Sequence, residues 1–167
     1  MAMETLRDLY VEELKDLYSA ENQLVKALPK LAKKASSEEL RTAFEDHLEV
    51  TREQVKRLET IFDDLERSPR GKRCAGMAGL IEESSDIMKE KAEPEVMDAA
   101  LISAAQRVEH YEIAAYGTVR NFAERLGLAH HSKLLQQTLD EEGETDKKLT
   151  ALAESHINRE AERGGMR

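Results

Sequence analysis

Tryptophan is absent from these 167 residues, and there are only one cysteine, three prolines and 4% aromatics. The lone thiol, Cys74, excludes an intrachain disulfide and a thiolate metal cluster. Only Lys72 and Arg73 lie beside it to lower its pKa, so an inert thiol is a plainer reading than a redox sensor. No stretch approaches 18 uninterrupted apolar residues, so no membrane partner is expected. The N-terminus lacks the apolar run of a signal peptide, which makes a cytoplasmic location the default expectation. A basic excess is missing too: the formal net charge of −9 argues against nucleic acid as a partner, because phosphate binding needs a basic face. What remains is rich in charge, 35% Asp, Glu, Lys and Arg, with Leu, Ala, Ile, Val and Met as the main apolar types. That mixture predicts an all-α protein of long amphipathic helices. The length suits one domain, residues 1–167, large enough to bury a core.

Apolar residues stepping by three and four define the elements. A first helix is predicted from about Met3 to Ala35, on the seam Leu6, Tyr10, Leu14, Leu17, Leu24, Leu28 and Leu31. Pro29 falls inside it and predicts a kink or a weak turn. Ser36 and Glu39 have capping-box spacing and predict the start of a second helix. It ends before the breaker Ser68-Pro69-Arg70-Gly71. The stretch Arg67–Glu93 predicts a crossover with a short helix over Met77–Lys91. Pro94 suits the first position of a third long helix, which Gly127 stops, and a fourth spans about His130–Asn158. The core thus covers about residues 3–158, and the polar tail 159–167 is expected to fray. Two hairpins of long helices joined by a long link match the ferritin-like four-helix topology, whereas up-and-down bundles need only short loops.

Polar residues interrupt the seams. Glu21 lies between Leu17 and Leu24; His47, Thr51 and Gln54 break the second seam; Glu109 and Glu112 break the third; Glu142 and Asp146 break the fourth. Buried carboxylates are costly unless paired or bound to metal. At about 1.5 Å per helical residue, Glu21 and His47 lie about 21 and 18 Å from the first turn. Glu112 and Glu142 each lie about 22 Å from the second, so all four helices bring polar groups to a similar depth. Glu109 and Glu112 share a face at i,i+3, and Glu142 and Asp146 at i,i+4. Carboxylates with at most one imidazole suit two Fe or Mn ions. Glu21, His47, Glu109, Glu112, Glu142 and Asp146 are therefore the predicted metal ligands, with Glu112 and Glu142 as bridges. The competing reading is a solvated stripe or a hydrogen-bonded polar layer. His110 points away from Glu109 and reads as a supporting or interface residue. His130, His131 and His156 read as surface residues, and Tyr111 and Tyr116 as core packing.

With these stretches in view, the chain resembles the YciF-like ferritin-like proteins of bacteria across about Thr5–Asn158. The resemblance rests on DLYSAENQL (Asp16–Leu24), HLEVTREQVKRLETIF (His47–Phe62), AGMAGLIEE (Ala75–Glu83), AAQRVEHYEIAAYGT (Ala104–Thr118) and LLQQTLDEEGETDKKL (Leu134–Leu149). It implies a bundle related to rubrerythrin-type diiron proteins, often dimeric and linked to stress responses, and it assigns no defined activity. Two departures stand out. No E-x-x-H occurs on the second or fourth helix, and Val50 of HLEVT stands where an acid is common in the family, leaving His47 as the donor there. The leading expectation is a di-metal carboxylate protein acting on O2 or peroxide. The alternative is a stress-associated structural or interaction protein with an empty site, and a ferroxidase storage shell ranks third. A homodimer is expected mainly from the resemblance, with Met77, Ile81 and Met88 as apolar residues that need cover.

Overall fold

Thr5 opens the first helix with a reciprocal cap. Its hydroxyl accepts from the Asp8 amide at 3.1 Å, and the Asp8 carboxylate accepts from the Thr5 amide at 2.9 Å. In the computed structural model, which describes residues 2–164, helix α1 then runs unbroken over Leu6–Lys34. Pro29, expected to mark a kink or a weak turn, leaves the helix continuous. It lies on the exposed face, where water can satisfy the Val25 carbonyl that its missing amide leaves free.

Helix α2 spans Glu38–Asp64, and the cap expected at Ser36 is Ser37 instead, whose hydroxyl accepts from the Leu40 amide at 3.3 Å. Ser36 is engaged elsewhere. Asp98 accepts from the Ser36 amide at 2.8 Å, the Ser36 hydroxyl at 2.6 Å and the Ser37 amide at 2.9 Å. The crossover carries α3, Ala75–Lys89, close to its predicted place. Helix α4 follows over Pro94–Arg125 with proline in its first turn. Gly127, at φ +73°, turns the chain into α5, Ala129–Leu152. A π-helical turn, Ala153–Ile157, then leads into α6, Asn158–Gly164. The segment expected to fray is therefore helical as far as Gly164; it rests against α4 and carries a Glu160–Arg163 pair at 3.0 Å. Residues 165–167 lie outside the described residues. No strand occurs among the described residues.

Helix α1 packs on α2 and α4, and α5 packs on α4 and α2, so the four long helices close a ring. Pairs such as Tyr18 with Glu59 and Gln106 with Thr150 set each hairpin antiparallel. Helix α3 lies across α1 and α4. Its Met77 is fully buried and Ile81 and Met88 are half-buried, so the apolar strip expected to seek cover already has it.

The core divides into two apolar halves. One gathers Leu24, Leu28, Leu31, Leu40, Phe44, Leu101 and Leu149 near the α1–α2 turn. The other gathers Leu14, Leu17, Leu58, Ile61, Tyr116, Val119 and Leu135 toward the opposite end. On each of the four helices buried polar residues fall between these halves: Glu21 on α1, His47, Thr51 and Gln54 on α2, Glu109 and Glu112 on α4, and Thr138 and Glu142 on α5; buried Asp98 and His131 lie at the starts of α4 and α5 instead.

Candidate metal centre

The residues between the two halves form a buried layer of carboxyl groups. Glu21, Glu109, Glu112 and Glu142 are each 0% exposed, and His47 is 3% exposed. They converge as two triads, His47 with Glu109 and Glu142, and Glu21 with Glu112 and Glu142; within each triad the ligating atoms lie within 4.8 Å of one another. Glu142 belongs to both. Glu112, the other predicted bridge, belongs to one. Asp146 joins neither triad: it sits a turn further along α5, partly exposed, near Gln106 Nε2 and His110 Nε2, each at 3.3 Å.

Few hydrogen bonds compensate the layer. Tyr116 donates to Glu21 Oε1 at 2.8 Å, and Gln54 Nε2 donates to Glu142 Oε1 at 2.7 Å. Thr51 donates to the His47 carbonyl at 2.7 Å and so does nothing for the carboxylates. With the acids ionised, both oxygens of Glu109 and Glu112 lack donors, as do Glu21 Oε2, Glu142 Oε2 and Gln54 Oε1, and both ring nitrogens of His47 lack partners; a proton kept on one acid of a pair lets Glu21 bond Glu112 and Glu109 bond Glu142. Among the described residues, Arg120 Nε is the one other buried side-chain atom in that condition. His47 Nε2 comes within 2.9 Å of Glu109 Oε1 without the alignment of a hydrogen bond. Buried polar atoms are ordinarily paired, so this concentration of orphans is a property of the site and not of the fold at large. Unpaired lone pairs aimed at a shared space are what a metal ion satisfies, and the donor set fits hard cations.

Electrostatics agree in sign. Burial, then the Glu142 charge, raises the Glu21 pKa to about 8. Burial raises Glu109 to about 7, with Glu21 and Asp146 adding repulsion. Burial and neighbouring carboxylates hold Glu112 and Glu142 well above the usual carboxylate range. Burial pushes the His47 pKa down, which favours the neutral, ligating imidazole.

Some side chains take roles the sequence did not assign. Tyr116 and Gln54 hold first carboxylate oxygens, and their one signal was a polar atom on a seam. His131, expected at the surface, is buried with Nδ1 3.1 Å from the Tyr10 hydroxyl and Nε2 3.3 Å from Asp64. Tyr111 donates to Asp16 at 3.0 Å, so the Cys74 thiol, 3.0 Å away, donates to the Tyr111 oxygen. Burial raises the Cys74 pKa, and its sulfur caps α3 by accepting from the Met77 amide at 3.3 Å. Both facts favour the inert reading of this thiol.

An all-helical chain with a buried acidic layer between its long helices is the class this geometry defines, and the chain belongs to the family described as domain of unknown function DUF892, whose model matches residues 5–162. It is 48% identical over 164 residues to Protein YciF of Escherichia coli (strain K12), covering 97% of this chain and 98% of that protein. The crystal structure of the E. coli stress protein YciF superposes with a TM-score of 0.90 at 46% identity, over 93% of this chain and 99% of that one. YcfI of Rhodopseudomonas palustris, described as a candidate structural protein, matches with a TM-score of 0.85 at 41% identity, over 88% of this chain and 94% of that one. A Xanthomonas campestris pv. campestris protein, at 21% identity and a TM-score of 0.79, shares the fold. Among the described residues no helix is long and apolar enough to cross a membrane.

Proposed function

We propose that the four long helices form a ferritin-like bundle whose core binds two Fe or Mn ions, and that the protein acts on O2 or peroxide in a stress response. The observation that carries this reading is the set of orphaned carboxylate and imidazole atoms on four helices, meeting at a shared Glu142. His47, Glu109 and Glu142 would hold one ion, and Glu21, Glu112 and Glu142 the other; Asp146 would serve from outside. When bound, the ions supply open redox-active positions for a small oxidant.

The chain's own part is to position and to exclude. Two apolar halves keep bulk water from the layer, so charge interactions there are strong. Gln54 and Tyr116 fix one oxygen each of Glu142 and Glu21, leaving the other oxygen free to ligate. Four carboxylates balance two divalent cations in charge, which supports a pair of M(II) ions over one.

A second reading keeps the layer metal-free, in a structural or interaction protein. The description of the R. palustris relative and the two hydrogen bonds to Glu21 and Glu142 favour it. Metal analysis of protein purified without added metal separates the two. Close to two Fe or Mn per chain supports the first reading, and none, with melting curves indifferent to added Mn(II) or Fe(II), supports the second. We further propose a homodimer, as the resemblance implies.

A further inference from the structure

We infer that divalent cations reach the buried centre through the crevice between α2 and α5 whose floor is His47. This rests on the two-metal reading. A sealed cage must have an entrance, and exposure locates it. The four glutamates are 0% exposed, whereas His47 retains 3%. His47 lines a crevice of about 50 Å³, walled by half-buried Val50 from α2 and Thr145 from α5. Asp46 and Lys148 are exposed where it meets solvent. Asp46 is thus a carboxylate at the mouth, which it shares with the Lys148 ammonium, and His47, whose ring nitrogens are buried behind, is the one converging residue that lines the crevice.

A larger cavity of about 430 Å³ lies beside α4 and the π-helical turn, lined by Ser103, Gln106 and His110 among others. Volume alone would favour it as the entrance. It touches none of the five converging residues, however, and Gln106 on its wall is tied to Thr150 at 2.7 Å and to Asp146 at 3.3 Å. Contact with a ligand outranks volume here, because an ion must exchange its waters for donors along the way. Val50 is then the gatekeeping side chain: it is small, half-buried and placed over the imidazole's access.

The test separates rate from equilibrium. Metal-free protein is mixed with Co(II) in a stopped-flow instrument, and the visible absorption of bound Co(II) gives the uptake rate. Equilibrium titration gives Kd and stoichiometry. Val50→Phe is expected to slow uptake roughly tenfold or more and Val50→Ala to speed it, with Kd and stoichiometry unchanged. Asp46→Asn slows uptake at low salt and flattens its salt dependence. Ser103→Phe, in the larger cavity, leaves the rate as it was. Melting curves check each fold, and Val50→Leu, a smaller plug, carries the test if the Phe variant does not fold. Uptake rates indifferent to residue 50, or a Ser103→Phe variant slowed as much as Val50→Phe, overturn the entrance alone. No Co(II) binding by the wild type ends the two-metal reading and the entrance with it.

Discussion

Glu112 is the residue that most clearly separates a metal cage from a polar layer. Both its oxygens are buried with no donor in reach except a proton shared with Glu21, and the charges of Glu142, Glu21 and Glu109 all bear on it. Replacing it with Gln keeps the size and removes an acid that, above pH 4.5, must either take up a proton on folding or bury a repelled charge. The metal-free Glu112→Gln variant is expected to melt above the metal-free wild type at pH 8, by roughly 2–4 °C for each kcal/mol of repulsion relieved. Its affinity for Mn(II) should fall at least about tenfold, or about 1.4 kcal/mol. Calorimetric melting and Mn(II) titration read both. A variant that melts lower and binds nothing differently would favour the hydrogen-bonded layer. At this scale the sequence was partly legible. A carboxylate on an apolar seam announces itself, and five of the six predicted ligands converge. Asp146 keeps the same face as Glu142 but sits one turn on, beyond the reach of the triads, a difference of depth that periodicity does not register. Gln54 and Tyr116 were visible as polar atoms, but their partners lie on other helices.

Helix α3 shows how a short element is held by close approach. A Cβ on Gly76 would come within 2.7 Å of Tyr111 Cε2 and 2.9 Å of its hydroxyl oxygen. That ring cannot readily give way, because Asp16 and Cys74 both bind its hydroxyl. Gly79, one turn on, has nothing within 4 Å of its would-be Cβ. Gly79→Ala should therefore stabilise by about 0.5–1 kcal/mol through helix propensity alone. Gly76→Ala gains the same propensity but overpacks, at a typical cost of about 1–3 kcal/mol, so it should be net destabilising. Denaturant melts of the two variants should move in opposite directions. The helices themselves were legible from periodicity, with ends within a few residues except at the C-terminal side, where the chain expected to fray beyond Asn158 stays helical to Gly164. Pro94 and Gly127 marked the ends of α4, but the α2 cap was not legible: Ser36 has capping-box spacing, yet Asp98 takes its hydroxyl, and a partner 62 residues away leaves no local mark.

The whole molecule should register its metal through pH. In the metal-free state Glu109 and Glu21 have pKa values of about 7 and about 8, above the 4.5 of an unperturbed glutamate. A folded-state pKa above the unfolded one gives stability that is full below 4.5 and is lost as pH rises through the folded values. Melting temperature without metal is thus expected to fall between pH 4.5 and 8, and saturating Mn(II) should restore it by mass action. Melting curves that coincide with and without metal across that window would refute the two-metal reading. Light scattering tests the dimer: a mass near twice the 18.9 kDa chain supports it, and 18.9 kDa itself at micromolar concentration rejects it. At this scale the sequence carried the topology, because a long link between two hairpins leaves few arrangements. The split of the core into two apolar halves was also implicit, since polar residues break all four seams at one depth.

Asp98 joins distant parts of the chain in a way that makes two amides useful reporters. The Ser36 and Ser37 N–H groups sit in an exposed turn, where exchange with solvent deuterium is ordinarily fast, yet both donate to a carboxylate on α4. Their protection depends on α4 staying docked, not on the turn itself. In a deuterium-labelling experiment these two sites should therefore open with the slow, cooperative class of amides in the helix interiors. A hairpin of α1 and α2 that has lost α4 would reveal itself there before its helices unwound.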